Sequence, residues 1–224
     1  DASPFAKLHV EDTGWSSGSP YGTVAYIQGG ATNDLNWGHV LISQSGTTTD
    51  TGGRLSFGAN GENPIAGIRA KYKGATYGDL AFLTRPSGGT NTERMVIDSA
   101  GHVTMPAQTA FQVRKSSNQD NFSVGSDQTV TWDTEVIDKN SDFGSNSFTA
   151  PITGTYFLNT QIRFNNQDSA ASYYQIAIQT SNRDYTLTID PGGFDANNAY
   201  WTQGLSVIAD MDASDTATVR VRQQ

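Results

Sequence analysis

Apolar and polar residues alternate with period two through many short runs of this chain, and no stretch of about a dozen residues keeps the i, i+3, i+4, i+7 stripe of an amphipathic helix. The pattern predicts an all-β fold. In the first half the predicted strands are Thr23–Gln28, Val40–Ser43, Arg54–Phe57, Ile65–Tyr72, Asp79–Thr84 and Arg94–Asp98. Between them stand Gly29-Gly30, Ser45-Gly46, Gly52-Gly53, Asn60-Gly61, Ser87-Gly88-Gly89 and Ala100-Gly101. Glycine and asparagine tolerate the positive φ of tight turns, so these groups read as hairpin turns. Short strands punctuated this often belong to a sandwich, a barrel or a repeated β fibre module.

Past Pro106 the pattern changes. The runs lengthen and their apolar positions become aromatic, as at Phe122, Trp132, Phe143, Phe148, Tyr156, Phe157, Phe164, Tyr173 and Tyr174. Residues 104–109 read as an extended connector, because Pro106 biases its neighbour away from the helical region. The boundary falls near residue 107, with a β-rich module over 1–106 and a second domain over 107–224. In Thr155–Phe164, Tyr156, Leu158, Thr160, Ile162 and Phe164 share one face, which is predicted to point into a core. Gly154 is expected to set a backbone corner ahead of that strand. In Thr216–Arg222, Ala217, Val219 and Val221 oppose Thr218, Arg220 and Arg222, and the two arginines read as solvated strand charges.

Charge narrows the function classes. Lys and Arg number 14 against 22 Asp and Glu, a formal net charge of −8. That excludes a general binder of nucleic acid or of anionic membrane surfaces, since both need clustered cations. The absence of cysteine removes disulfide scaffolds, zinc ribbons and thiol nucleophiles. No run approaches the ~18 apolar residues of a spanning helix, so no membrane insertion is expected.

Two family resemblances add to this reading. Gly78-Asp-Leu-Ala-Phe-Leu-Thr-Arg85, Glu93-Arg-Met-Val-Ile-Asp98 and Gly101-His-Val103 resemble a module of bacteriophage tail-fibre proteins, and Arg54–Gly58 fits the strand that precedes it there. Downstream, Phe148-Thr-Ala-Pro151 and Gly154-Thr-Tyr156 resemble the core motif of the C1q/TNF-like jelly rolls, with Trp132, Asp138 and Phe143 at matching upstream spacing and Phe122-Ser-Val124 as the opening strand. The second resemblance departs from the family between Phe143 and Phe148, which is two residues short, and at Leu158 and Thr160, which replace aromatics. It implies a β-sandwich that assembles as a homotrimer, with Trp132, Phe148 and Tyr156 in the inter-sheet core. Such sandwiches close with one more strand, carrying a Phe-x-Gly-aliphatic run that is not found after Val221, so the natural chain is expected to extend past both ends. The two resemblances together imply a virion protein, extracellular, with itself, other tail or fibre proteins and a host-surface glycan or protein as partners. A secreted C1q-like lectin or adhesin and a tailspike depolymerase are the alternatives.

Candidate chemistry is sparse. Gly14-Trp-Ser16-Ser-Gly18 has the G-x-S-x-G form of a nucleophile elbow, but the Gly-Ser-Pro-Tyr-Gly that follows cannot start the required helix, so Ser16 reads as a loop serine. His9, His39 and His102 lie far apart and form no ligand pair. Asp210, Asp212 and Asp215 make an oxygen-rich turn, read first as solvated and otherwise as a calcium site of the kind some C1q-like proteins hold. Asp133, Glu135, Asp184, Asp190 and Asp195 supply carboxylates in numbers from which pairs arise by chance. Asp195, Asn197, Asn198, Tyr200 and Trp201 combine amide and carboxylate groups with aromatic faces, the set that binds sugars. The two aromatics equally suit a trimer contact.

Overall fold

A computed structural model describes residues 48–59, 63–74 and 76–224. The expected strands Thr23–Gln28 and Val40–Ser43, together with Ser16, His9 and His39, lie outside the described residues. The chain divides into two compact units, 1–103 and 104–224. The described residues of both are all-β, and no α-helix occurs among them.

In the first unit β1 (Arg54–Ala59), β2 (Asn63–Gly74), β3 (Tyr77–Thr84), β4 (Thr92–Ile97) and β5 (Val103–Thr104) follow one another in a single five-stranded sheet in sequence order. This is a meander, the product of consecutive short turns. Gly88 at φ +68° and Gly101 at φ +88° supply the left-handed backbone that two of those turns require. Asp98 fixes the turn into β5 by accepting from the Ala100 and His102 amides and lying 2.9 Å from His102 Nδ1. The motif strands β3 and β4 pair antiparallel, from Leu80 opposite Ile97 to Thr84 opposite Thr92. Ala81 and Leu83 are buried.

The second unit contains β6 (Ala110–Arg114), β7 (Gln128–Thr129), β8 (Thr134–Lys139), β9 (Phe143–Gly144), β10 (Ser147–Thr149), β11 (Gly154–Gln167), β12 (Tyr174–Thr180), β13 (Asp184–Ile189), β14 (Asn198–Met211) and β15 (Thr216–Gln223). The main sheet runs β13-β12-β15-β10-β9, with β7 also paired to β15. The long strands β11 and β14 form a separate antiparallel pair, as do β6 and β8. Between the main sheet and the β11–β14 pair lies the core, where Phe148, Leu158, Ile178, Ala209, Met211 and Ala217 meet. A second cluster joins Phe164, Tyr174, Ile176 and Val221, with Trp132 and Phe122 packed against it.

Period-two faces survive in detail. Along β11, Leu158, Thr160 and Phe164 are buried, Tyr156 and Ile162 are half-buried, and the intervening residues are exposed. Ala217 and Val221 of β15 are buried as well. Phe148 stacks on Phe111 at 4.9 Å and tilts against Tyr156 at 5.3 Å, while Phe143 stacks on Phe111 at 5.2 Å. Two local expectations need correction. Phe122-Ser-Val124 forms no strand, and the unit opens instead with 110–114, because Phe122 alone turns inward while Val124 is exposed. A Cβ added to Gly154 would meet nothing nearer than Tyr156 Cε2 at 3.9 Å, so that glycine answers no steric demand.

Side-chain caps set the remaining corners. Asp138 accepts from the Asp142 and Phe143 amides, closing a turn in which Asn140 and Ser141 have φ of 68° and 58°. Ser145 and Asn146, at φ 50° and 65°, form the two-residue turn between β9 and β10, and Asn146 Oδ1 also accepts from the Trp132 amide. Both φ values are positive, as a type I′ hairpin demands, and a serine there is held against its intrinsic preference. Ser145→Gly is therefore expected to raise stability by up to about 1 kcal/mol, read as a higher urea midpoint with unchanged slope. A lower midpoint would contradict the turn assignment.

Candidate functional site

Strand alternation decides the geometry of the candidate ligand residues. On β14 the odd-numbered residues from Trp201 to Met211 point inward and the even-numbered ones outward. Tyr200 and Trp201 consequently face opposite sides of the sheet and do not form one stacking platform. Trp201 packs on Phe194, ring centroids 4.9 Å apart. Tyr200 is 68% exposed and carries the Arg163 guanidinium 5.2 Å from its ring centre. Asn197 Oδ1 accepts from the amide and the hydroxyl of Ser169, and Asn198 Nδ2 donates to Gln167 Oε1 at 3.4 Å. These two amides tie the loop to the chain at the end of β11, and Asp195 and Asn197 are exposed outside any strand. The expected five-residue sugar site is not assembled as one surface.

Asp210, Asp212 and Asp215 are likewise drawn apart. Asp210 pairs with Arg183 Nη2 at 2.8 Å. Asp212 Oδ1 accepts from Thr153 Oγ1 at 3.4 Å, and Asp215 Oδ2 accepts from the Asp212 amide at 2.8 Å. The last bond staples the β14–β15 turn, in which Ser214 has φ 77°. These contacts engage one carboxylate oxygen of each acid within a hydrogen-bonded turn, and no group of three metal-ligating side chains is found among the described residues.

Arg220 and Arg222 are not free strand charges. They are half-buried and reach Asp127 at 4.0 and 3.8 Å, and Arg222 also lies 6.0 Å from the Tyr173 ring centre. Their Nε atoms are buried without a partner. The scattered carboxylates have structural duties too. Asp133 accepts from the Ser116 amide at 2.6 Å and from Ser117 and Thr134 hydroxyls, with Lys115 at 3.6 Å. The Ser116 bond foremost holds its carboxyl far below the usual range, which unsuits it to act as a general acid. Asp190 accepts from the Gly192 amide and caps the short Pro191–Gly193 helical turn. Burial pushes the Tyr174 hydroxyl up, and that oxygen accepts from the Asp168 amide.

Electrostatics in the first unit centre on Glu93. Its carboxylate takes Arg69 Nη2 at 2.6 Å and Lys71 Nζ at 2.9 Å, and Lys71 and Lys73 both reach Asp50. Burial works against ionisation of Glu93, yet the two cations outweigh it and hold the carboxyl below its ordinary 4.5. A carboxyl lowered by folding stabilises above its unfolded value and loses that stabilisation as pH falls through the folded value. Protection factors of the amides in β3 and β4, which normalise out the pH dependence of intrinsic exchange, are therefore expected to fall from about pH 5 downward more steeply in the native chain than in Glu93→Gln. Identical pH slopes would refute the role of the pair.

The outward face of the β11–β14 pair carries large apolar side chains. Phe157 stands directly opposite Ile208 in the ladder. They are 71% and 70% exposed, and Tyr200 lies farther along the same face. The period-two pattern places Phe157 outside the core, which was a signal for an apolar contact surface. Comparison with known proteins gave no match, neither to a protein-family model nor to a curated protein.

Proposed function

We propose that this chain is a structural and host-attachment component of a bacteriophage tail fibre, non-enzymatic and homotrimeric, with the second unit as the head. The observation that carries this reading is the outward Phe157–Ile208 pair with Tyr200 beyond it. A strand pair on the surface of a free monomer gains nothing from large apolar side chains on its wet face, whereas a contact between copies buries them. The resemblance of β3, β4 and the following turn to the tail-fibre module supports placement in a virion, outside the cell. Host recognition rests on that placement and on analogy rather than on an assembled site. Native mass spectrometry at micromolar concentration tests assembly, with a trimer expected and a monomer counting against it. A glycan array probed with the intact protein tests attachment. Loss of polysaccharide viscosity on incubation would turn the reading toward a depolymerase.

A further inference from the structure

The main sheet of the second unit has an inner face on the core and an outer face on solvent. Tyr174, Ile176 and Ile178 of β12 and Ala217 and Val221 of β15 point inward and are buried. Gln175, Ala177, Arg220 and Arg222 therefore point out. In the ladder Arg220 stands opposite Ala177 and Arg222 opposite Gln175, and on β13 Thr186 and Thr188 continue the same two rows. The assembly proposed above uses the β11–β14 face across the core, so this face stays in water.

The two guanidinium groups are poorly satisfied. The acid that reaches them is Asp127, 4.0 Å from Arg220 Nη1 and 3.8 Å from Arg222 Nη1, beyond the ~2.7–3.2 Å of a hydrogen bond. Arginine pairs elsewhere in the chain are tight, Arg69 with Glu93 at 2.6 Å and Arg183 with Asp210 at 2.8 Å. Among the described residues the Arg220 side chain donates no hydrogen bond, and its Nε is buried without a partner. Arg222 donates from Nη2 to Gln224 Oε1 at 3.0 Å, and its Nε is likewise unpaired. Two guanidinium groups against one carboxylate leave a surplus positive charge on a chain of net charge −8. The side chains are 36% and 33% exposed, so a ligand can reach them.

The chemistry of the face selects the ligand. One surplus charge on planar donor forks suits a carboxylate monoanion, which takes parallel N–H bonds, better than a phosphate dianion. Hydroxyl and amide groups stand beside the forks, with Gln175 Nε2 donating to Thr188 Oγ1 at 2.8 Å and Thr186 beyond the small side chain of Ala177. No large apolar side chain lies in these two rows, so an apolar peptide finds no anchor, whereas the hydroxyls of a sugar ring find partners. Asp184, exposed on the same face, lies about 12 Å from Arg220 by strand spacing and rise, past the ~8 Å screening length of physiological salt. Asp127 is thus the acid that competes. We propose that Arg220 and Arg222 bind the carboxylate of an acidic sugar, a hexuronate or a sialate, with the ring over Ala177 toward Gln175 and Thr186. The site gives the proposed host attachment its ligand class and rests on that reading for the source of the glycan.

The test is isothermal titration of the whole chain with trigalacturonate against its methyl ester, and with sialyllactose against lactose. A carboxylated sugar is expected to bind and its neutral counterpart not to, and the one that binds identifies the source. Arg220→Gln is expected to weaken binding by about tenfold to a hundredfold, the loss of a charge-assisted pair. Asp127→Asn separates this from damage to the sheet, because removing the competing carboxylate is expected to tighten binding about threefold or more. Absence of carboxylate-dependent binding overturns the proposal, as does native affinity in Arg220→Gln or weaker binding in Asp127→Asn. A trimer without carboxylate-dependent binding sinks the site and leaves the assembly standing. Carboxylate-dependent binding by a monomer upholds the site and sinks the assembly.

Discussion

Phe148→Ala is expected to destabilise the second unit by about 3–5 kcal/mol, the cost of emptying a large aromatic site in a packed core. Phe148 is 1% exposed and sits where three elements meet. It stacks on Phe111 of β6, tilts against Tyr156 of β11, and stands on β10 beside Ala217 of β15. Truncation removes ring contacts on two sides at once, and the surrounding strands are held by their ladders and cannot collapse into the space. Phe148→Leu keeps most of the volume and is expected to cost less than half as much. Urea unfolding followed by near-ultraviolet circular dichroism measures both. A loss under about 1 kcal/mol for the alanine variant would mean that the cluster is loosely packed and that β6 is not anchored through Phe111.

Phe157→Asp is expected to convert the proposed trimer to monomers while leaving the monomer's fold unchanged. The side chain is 71% exposed in the single chain, so a carboxylate there meets water and costs little. In an assembly that buries the face, the same carboxylate loses its hydration beside Ile208. A central apolar contact is worth about 2 kcal/mol or more, so association is expected to weaken by at least about 30-fold at each interface. Native mass spectrometry reads the loss of assembly, and an unchanged urea midpoint extrapolated to low protein concentration shows that folding is intact. A trimer that survives Phe157→Asp would move the contact to another face. A wild-type chain that is monomeric at micromolar concentration would remove the premise.

Strand identity and strand faces were legible along the chain, because alternation is a local property set by the backbone of each strand. Reading Tyr156, Leu158, Thr160, Ile162 and Phe164 as one inward face required no knowledge of a neighbour, and β11 has that face. The turn at Ser145-Asn146 went unread, since serine and asparagine show the demand for positive φ less openly than glycine does. The alternation that separates Tyr200 from Trp201 was available too, being as local as that of β11.

Partnership was decided in three dimensions. Asp210 meets Arg183, Asp212 meets Thr153, and Arg220 meets Asp127, each across a span of chain that composition and spacing do not bridge. A cluster of acids in sequence is therefore no measure of converging oxygens, because each carboxylate takes the nearest donor in space. The unpaired edges of β6 and β11 are a property of sheet order rather than of any residue. Local sequence determined which residues face inward; tertiary structure alone decided which edges are closed, since backbone hydrogen bonds between strands carry no signature in the side chains that flank them.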